Sequence, residues 1–439
     1  MSVPGGLAVD SRRRVDELLL LLLVALLAVG GYLLVLLSDR TELSGSLAPR
    51  LAVVGAMFLV AHLAIRRVAP NADPTLLPIA ALLNGVGFIF VSRLDESLAA
   101  AQTVWTGIGV AVFVLTLVVV REVRSLERYR YSFALLGIAT LLLPVLPGLG
   151  REVNGARLWV RVGALNFQPA EIAKVVLVIF FAAYLVEKRE LLAVATRRVG
   201  RIMLPDPRHL GPLLLAWGVS LVIMVQEKDL GSSLLFFAVF AVMLYMATGR
   251  GAYVGIASLM FATGAAIAYR IFDHVAVRVS TWLDPWPDAQ GQGFQLVQSL
   301  YAFGSGGFAG TGFGLGYPDK IPNAATDFVF AAVGEELGLL GAVAVLVAYL
   351  LFVGSGFRIA VRADRPFLKL LAAGLTAIIG IQTFIILGGV TRVIPLTGIT
   401  LPFISYGGSS LVANFAILAL LLRISDESSV DDTLLGAEA

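Results

Sequence analysis

Twelve times along the chain the sequence runs apolar without interruption for about the ~20 residues that one helix needs to cross the hydrocarbon core of a bilayer. The runs centre near residues 28, 57, 84, 112, 140, 178, 217, 239, 261, 342, 378 and 413. They are continuous rather than alternating, which argues against a β-barrel, whose strands carry a period of two. Composition agrees, because 58% hydrophobic and 14% charged residues depart from soluble domains in opposite directions. The expected fold is an all-α polytopic membrane protein of about twelve spans. The first run, ELLLLLLVALLAVGGYLLVLLS, follows a basic stretch as a signal peptide does. It is too long for one and lacks a small-residue cleavage site, so it reads as a retained span.

Basic residues set the expected orientation. With the N-terminus inside, the inner segments hold roughly twice as many Lys and Arg as the outer ones, although the outer segments are longer. Both termini are therefore expected in the cytoplasm. The chain divides into a cytoplasmic segment 1–16, two spans over 17–70, a ten-span region 71–423 and an acidic tail 424–439 expected to be disordered. The stretch LLAVATRRVGRIMLP fits a basic helix on the inner leaflet as well as it fits a solvated loop. A net charge of +3 gives no support for nucleic-acid binding. The absence of cysteine excludes disulfide and thiolate chemistry. Three scattered histidines suggest no metal site, and no Walker sequence is present to couple the protein to ATP.

The chemistry-bearing segments all fall on the expected outer side. The longest, about 271–326, ends at IPNAATDFVFAAVGEELG, where Asp327 stands at the mouth of an apolar run and Glu335 and Glu336 lie inside it. Charge at membrane depth is costly and calls for a reason. Within this segment GFQLVQSLYAFG is expected to form an amphipathic helix with Phe294, Val297, Leu300 and Tyr301 on one face, followed by a glycine-rich stretch. A second segment, LGREVNGARLWVRVGALNFQPAEIAK, carries Arg151, Arg157 and Arg161 against the charge bias. They fit an outer anionic ligand, or pairing with Glu152 and lipid headgroups, equally well. Glu171 and Lys174, three residues apart, share a helix face and are expected to pair. In QEKDLGSS, Asp229 reads as a helix cap. In TRVIPLTGITLPFISYGGSS, Arg392 is followed by Pro402, Gly407 and Gly408, which break the start of the last helix as cavity-lining segments do.

Five of these segments together, GARLWVRVGALNFQPAEIAK, QEKDLGSS, DPWPDAQGQGFQLVQSL, IPNAATDFVFAAVGEELG and GITLPFISYGGSS, resemble the RodA/FtsW (SEDS) family in order and spacing, over roughly residues 76–423. The last of them resembles the elongation-type RodA branch more than the division-type FtsW branch. The family core has ten spans, so the first two helices look like an N-terminal addition. Where the family reads Gln-Pro-Asp-Leu-Gly this chain has QEKDLG, and no role is carried over to Gln226–Lys228. The resemblance implies a peptidoglycan glycosyltransferase that polymerises lipid II on the outer face of the bacterial cytoplasmic membrane. It also implies a class B penicillin-binding protein as cross-linking partner. Further, it implies that Asp327 is the essential acid, that Glu171 and Lys174 act as a supporting pair, and that Trp159 lies in the functional region.

The chemistry fits such an acid. A sugar 4-hydroxyl attacks the anomeric carbon of a second lipid-linked disaccharide and displaces a polyprenyl pyrophosphate. A carboxylate that accepts the hydroxyl proton contributes roughly 10²–10⁴-fold. Pyrophosphate leaves without a proton, so cations can replace the second carboxylate of ordinary glycosidases. Lys320 is the nearest cation in sequence, with Arg157, Arg161, Arg278 and Arg392 as further candidates. From the residues alone, Thr326 and Asp327 could equally be a helix cap. Asp284 and Asp288, next to prolines, read as turn formers. No cofactor is required; a divalent cation, Mg²⁺ or Mn²⁺, could assist, although no ligand cluster is visible. Transport of a lipid-linked precursor and a non-catalytic scaffold are the competing readings.

Overall fold

The computed structural model describes residues 5–38, 47–146, 149–153, 156–163, 165–193, 197–199, 202–204, 218, 221 and 229–437. Among the described residues, ten helices are long and apolar enough to cross a membrane. They are α1 (Gly5–Leu36), α2 (Leu47–Val68), α3 (Leu76–Leu94), α4 (Glu96–Val119), α6 (Pro169–Glu187), α8 (Leu230–Thr248), α9 (Gly251–Ile271), α12 (Val329–Arg362), α13 (Pro366–Val390) and α14 (Gly408–Ala437). The run expected near 140 is α5 (Arg130–Leu142) extended by 3-10 turns at both ends, Val123–Tyr129 and Leu143–Val145, where Pro144 ends the regular helix. The run expected near 217 lies outside the described residues. Shorter helices are α7 (Arg189–Ala193), α10 (Asp273–Leu283) and α11 (Phe294–Gly306).

The chain forms two compact units, Met1–Arg121 with Val277–Ile359 and Gln382–Ala439, and Glu122–Ala276 with Ala360–Ile381. In the first, α14 packs along α4, and their seam is filled by aromatic rings. Phe415 stands edge-on to Phe403 at 5.7 Å and to Phe113 at 6.5 Å, and Phe58 lies 5.9 Å away. Asp95 starts α4 by accepting the amides of Ser97 (2.8 Å) and Leu98 (3.2 Å), two of the donors that a helix N-terminus leaves without partners.

The two N-terminal helices are bound into this unit by buried charge. Glu17 is fully buried, with Arg14 at 2.5 Å and the His62 Nδ1 at 2.6 Å, and Arg14 also donates to Ala72 O. Arg13 donates to Asn71 O at 2.7 Å, and the Asn71 amide donates to Asp426 at 2.8 Å. Asp426 in turn lies 3.3 Å from Arg423 Nη1, which also donates to Val68 O, while Arg423 Nε and Nη2 hold the carbonyls of Val120 and Arg121. The acidic tail beyond 424, expected to be disordered, therefore continues α14 through Ala437, because Arg423 and the Asn71 turn give its first residues buried polar partners.

In the second unit, α6 is buried around almost its whole circumference and packs on α5. The arginine-rich segment before it is an antiparallel sheet of β1 (Gly150–Val153), β2 (Ala156–Val162) and β3 (Leu165–Phe167), in which Trp159 pairs with Arg151 and Arg161 with Asn166. The basic stretch near 200 is neither the surface helix nor the loop expected of it. It is a hairpin of β4 (Arg197–Val199) and β5 (Ile202–Leu204), whose three paired residues per strand include β-branched Val199 and Ile202.

Candidate active site

The segment before α12 carries Asp327 in a turn organised around one carbonyl. Asn323 takes a left-handed conformation (φ 58°), so its oxygen meets the amides of Thr326 (3.0 Å), Asp327 (3.1 Å) and Phe328 (3.3 Å), and the Thr326 hydroxyl (3.2 Å). Ile321, Ala324, Ala325 and Phe328 are buried and hold the turn down. The segment between α13 and α14 runs alongside. Tyr406 N donates to Ala325 O at 2.8 Å, and the Ser405 hydroxyl donates to Thr326 O. Burial raises the Tyr406 phenol above its ordinary value, so it stays protonated at neutral pH.

The same segment faces Asp327 with Gly398, which is exposed and left-handed (φ 76°). A Cβ at Gly398 would lie 3.6 Å from Asp327 Oδ2 and 3.8 Å from Arg278 Nη2. The open Cβ position of Gly398 therefore forms a notch within van der Waals reach of both the carboxylate and the guanidinium. Arg278, on α10, is braced by Thr397 O (2.7 Å) and Leu396 O (3.3 Å) through Nη1. Such a notch offers a proton acceptor and a cation to one reacting centre.

The other expected residues occupy varied places. Lys320 is exposed, its ammonium 4.5 Å above the Tyr317 ring. Arg392 Nε donates to Trp282 O at 2.8 Å and its Nη2 to Leu283 O, which ties it to the end of α10 as a brace. In the second unit Lys174 Nζ pairs with Glu171 at 2.5 Å, both almost wholly buried. Asp229 caps α8 through Ser232 N (2.9 Å) and also receives Gln168 Nε2 (3.3 Å). Trp159 is half-buried on β2, Arg161 is exposed with Nε on Gly163 O (3.1 Å), and the Arg157 side chain lies outside the described residues. Asp284 and Asp288 accept amides of their own turns, from Trp286 (3.3 Å) and Gln292 (2.8 Å). The helix expected at GFQLVQSLYAFG forms as α11. Leu296, Val297, Ser299 and Ala302 are buried, the Ser299 hydroxyl donates to Val390 O (3.1 Å), and Tyr301 is exposed against Trp286 at 5.9 Å.

Glu335 and Glu336 hold the glycine-rich loop rather than Asp327. At Gly338 the backbone of α12 leaves helical geometry (φ 65°, ψ −164°), which frees two carbonyls and two amides. The loop supplies all four partners. Thr311 N donates to Glu335 O (2.9 Å) and Gly312 N to Glu336 O (3.1 Å), while Leu339 N donates to Gly307 O (3.0 Å) and Leu340 N to Phe308 O (3.2 Å). The side chains add to this: Glu335 accepts Tyr317 N (2.9 Å), and Glu336 accepts Gly314 N (3.0 Å) and pairs with Arg93. Arg93 also donates to Gly316 O at 2.9 Å. Irregular backbone at membrane depth is sustained in this way, by partners within the protein.

A family model described as a cell cycle protein of the FtsW, RodA and SpoVE group matches residues 76–430. The chain belongs to the FtsW/RodA/SpoVE family. It lies on the RodA side of it. The peptidoglycan glycosyltransferase RodA of Mycobacterium tuberculosis is 50% identical over 380 residues, covering 84% of this chain and 81% of that one. The protein of the same name from Mycobacterium leprae is 47% identical over 424 residues, covering 94% of this chain and 90% of that one. A solved chain from "Structural coordination of polymerization and crosslinking by a peptidoglycan synthase complex" superposes with a TM-score of 0.65 at 28% identity, over 81% of this chain and 98% of that one. Within the RodA/FtsW motifs, sequence reasoning passed over Gly398, Asn323 and Ser405. Only the glycine had a readable signal, as the single residue in VIPLTGIT able to adopt positive φ without strain.

Proposed function

We infer that this chain is a peptidoglycan glycosyltransferase of the RodA type, a multi-pass membrane enzyme that polymerises lipid II into glycan strands at the outer face of the bacterial cytoplasmic membrane. The observation that carries the reading is the 50% identity, over most of both chains, to a protein of that name. The charge bias favours cytoplasmic termini, which puts the Asp327 turn outside, where both lipid-tethered substrates present their sugars.

In this reading Asp327 accepts the proton of the 4-hydroxyl as that oxygen bonds to the anomeric carbon, and the C–O bond to pyrophosphate breaks with its electrons leaving on phosphate. Attack opposite the leaving group inverts the centre. Arg278, beside Gly398, stabilises the developing negative charge, and exposed Lys320 is the second cation. Arg157, Arg161 and Trp159 are assigned to holding the growing undecaprenyl-pyrophosphate-linked glycan, and the Glu171–Lys174 pair to fixing the start of α6. Arg392 is assigned to the scaffold. The steps need no cofactor, and Mg²⁺ or Mn²⁺ would serve only to neutralise pyrophosphate. The partner proposed is a class B penicillin-binding protein that cross-links the product.

Purified protein with such a partner, given lipid II in detergent where no membrane potential exists, should produce glycan polymer. Polymer absent under every condition, or lipid-linked precursor crossing sealed vesicles with none polymerised, would replace this reading by a scaffold or a transporter.

A further inference from the structure

The turn bearing Asp327 belongs to no helix or strand, so the direction of its carboxylate depends on individual tethers. The peptide group joining Thr326 to Asp327 is planar, and fixing both its edges fixes the Cα of Asp327. Its N–H edge is on Asn323 O at 3.1 Å. Its C=O edge is on the hydroxyl of Ser405. That hydroxyl has a single proton, which it gives to Thr326 O, and it receives Leu401 N at 2.9 Å, so its one rotor has a single satisfied orientation. Ser405 is 3% exposed and Leu401 is 1% exposed, so no solvent stands ready to replace either bond.

The segment 396–406 thus holds both charged groups at the notch. Through Leu396 O and Thr397 O it braces Arg278; through Gly398 it leaves the notch open; through Ser405 and Tyr406 it grips the two peptides before Asp327. We propose that Ser405 is a positioning residue for the reaction, aiming the Asp327 carboxylate at the Gly398 notch by holding the Thr326 carbonyl. The proposal rests on the reading of Asp327 as general base. Ser405 touches neither substrate nor reacting atom, and acts only through that peptide.

The test compares Ser405→Ala, Ser405→Thr and Ser405→Cys in the full-length protein with its transpeptidase partner, by lipid II polymerisation kinetics and thermal unfolding of the same samples. Misplacing a reacting group by about 1 Å costs on the order of 10²-fold. The expected result for Ser405→Ala is therefore a kcat lower by roughly 10–100-fold with KM within about twofold. Ser405→Thr, which keeps the hydroxyl, should recover most of the turnover. Ser405→Cys, equal in shape with a weak donor, should fall between them at unchanged unfolding temperature, and it decides the matter if Ser405→Ala does not fold. Normal turnover in Ser405→Ala and Ser405→Cys overturns the proposal. So does a loss in proportion to unfolding, or one that appears in KM alone. An Asp327→Ala protein that still polymerises removes the base reading and this proposal together. If Asp327→Ala is inactive and the Ser405 variants are normal, only the present proposal is lost.

Discussion

Arg93 at the end of α3 and Glu336 within α12 form an ion pair whose side chains are 7% and 0% exposed, on the flank of the glycine-rich loop. Removing one member of such a pair leaves a buried charge without its counterpart, at a cost of about 3–5 kcal/mol, whereas replacing both by apolar residues costs far less than the sum. Arg93→Met and Glu336→Leu should each lower the unfolding temperature sharply. The combined Arg93→Met/Glu336→Leu protein should be more stable than the two single losses added together, as measured by thermal unfolding in detergent.

Gly338 tests the loop insertion. A Cβ there would stand 2.2 Å from Gly310 N, on a residue whose φ of 65° side chains rarely adopt. Gly338→Ala should expel the loop from the helix break and leave four backbone groups without partners. Protease cleavage within 307–317 should rise several-fold relative to the parent, while Gly354→Ala, which meets nothing within 4 Å, leaves it unchanged.

Asp95 gives a pH dependence outside the spans. The Ser97 hydroxyl and the amides of Leu98 and Ser97 hold its carboxyl below the usual aspartate range. A carboxylate with a depressed folded-state pKa stabilises above its unfolded value of about 3.9, and the contribution disappears as pH falls through the lower folded value. Asp95→Ala should therefore cost about 1 kcal/mol at pH 7, and its difference from the parent should shrink below about pH 4, by unfolding across that window.

Glu171 and Lys174 are buried within α6, where reversal of the pair can be tested. Glu171→Lys alone places two like charges together and should abolish folding or activity. Glu171→Lys with Lys174→Glu should restore a measurable part of both, judged by unfolding temperature and by polymer yield.

What the sequence disclosed followed periodicity and long-range charge bias. Continuous apolar runs predicted the ten spans seen among the described residues, and the three-residue spacing of Glu171 and Lys174 predicted their pairing. Asp229 announced itself as a cap because capping is local. The tail was misread because local composition argued for disorder, while the turn at Asn71, far away in sequence, and Arg423, three residues before Asp426, supply its partners. The burial of Ser299 in α11 had no signal in the sequence, because its partner Val390 O lies far along the chain. The notch near Asp327 and Arg278 joins residues brought together at Gly398 by the path of another segment, and no spacing rule reaches across three pieces of chain.

The central claim is that the carboxylate of residue 327 takes the proton during glycosidic bond formation. Its most direct measurement is the rate of glycan extension from lipid II by Asp327→Asn, with folding and binding of the transpeptidase partner verified on the same preparation. The isosteric amide cannot accept that proton, so the rate should fall by roughly 10²–10⁴-fold with the protein intact. Chain growth within a few-fold of the parent would contradict it.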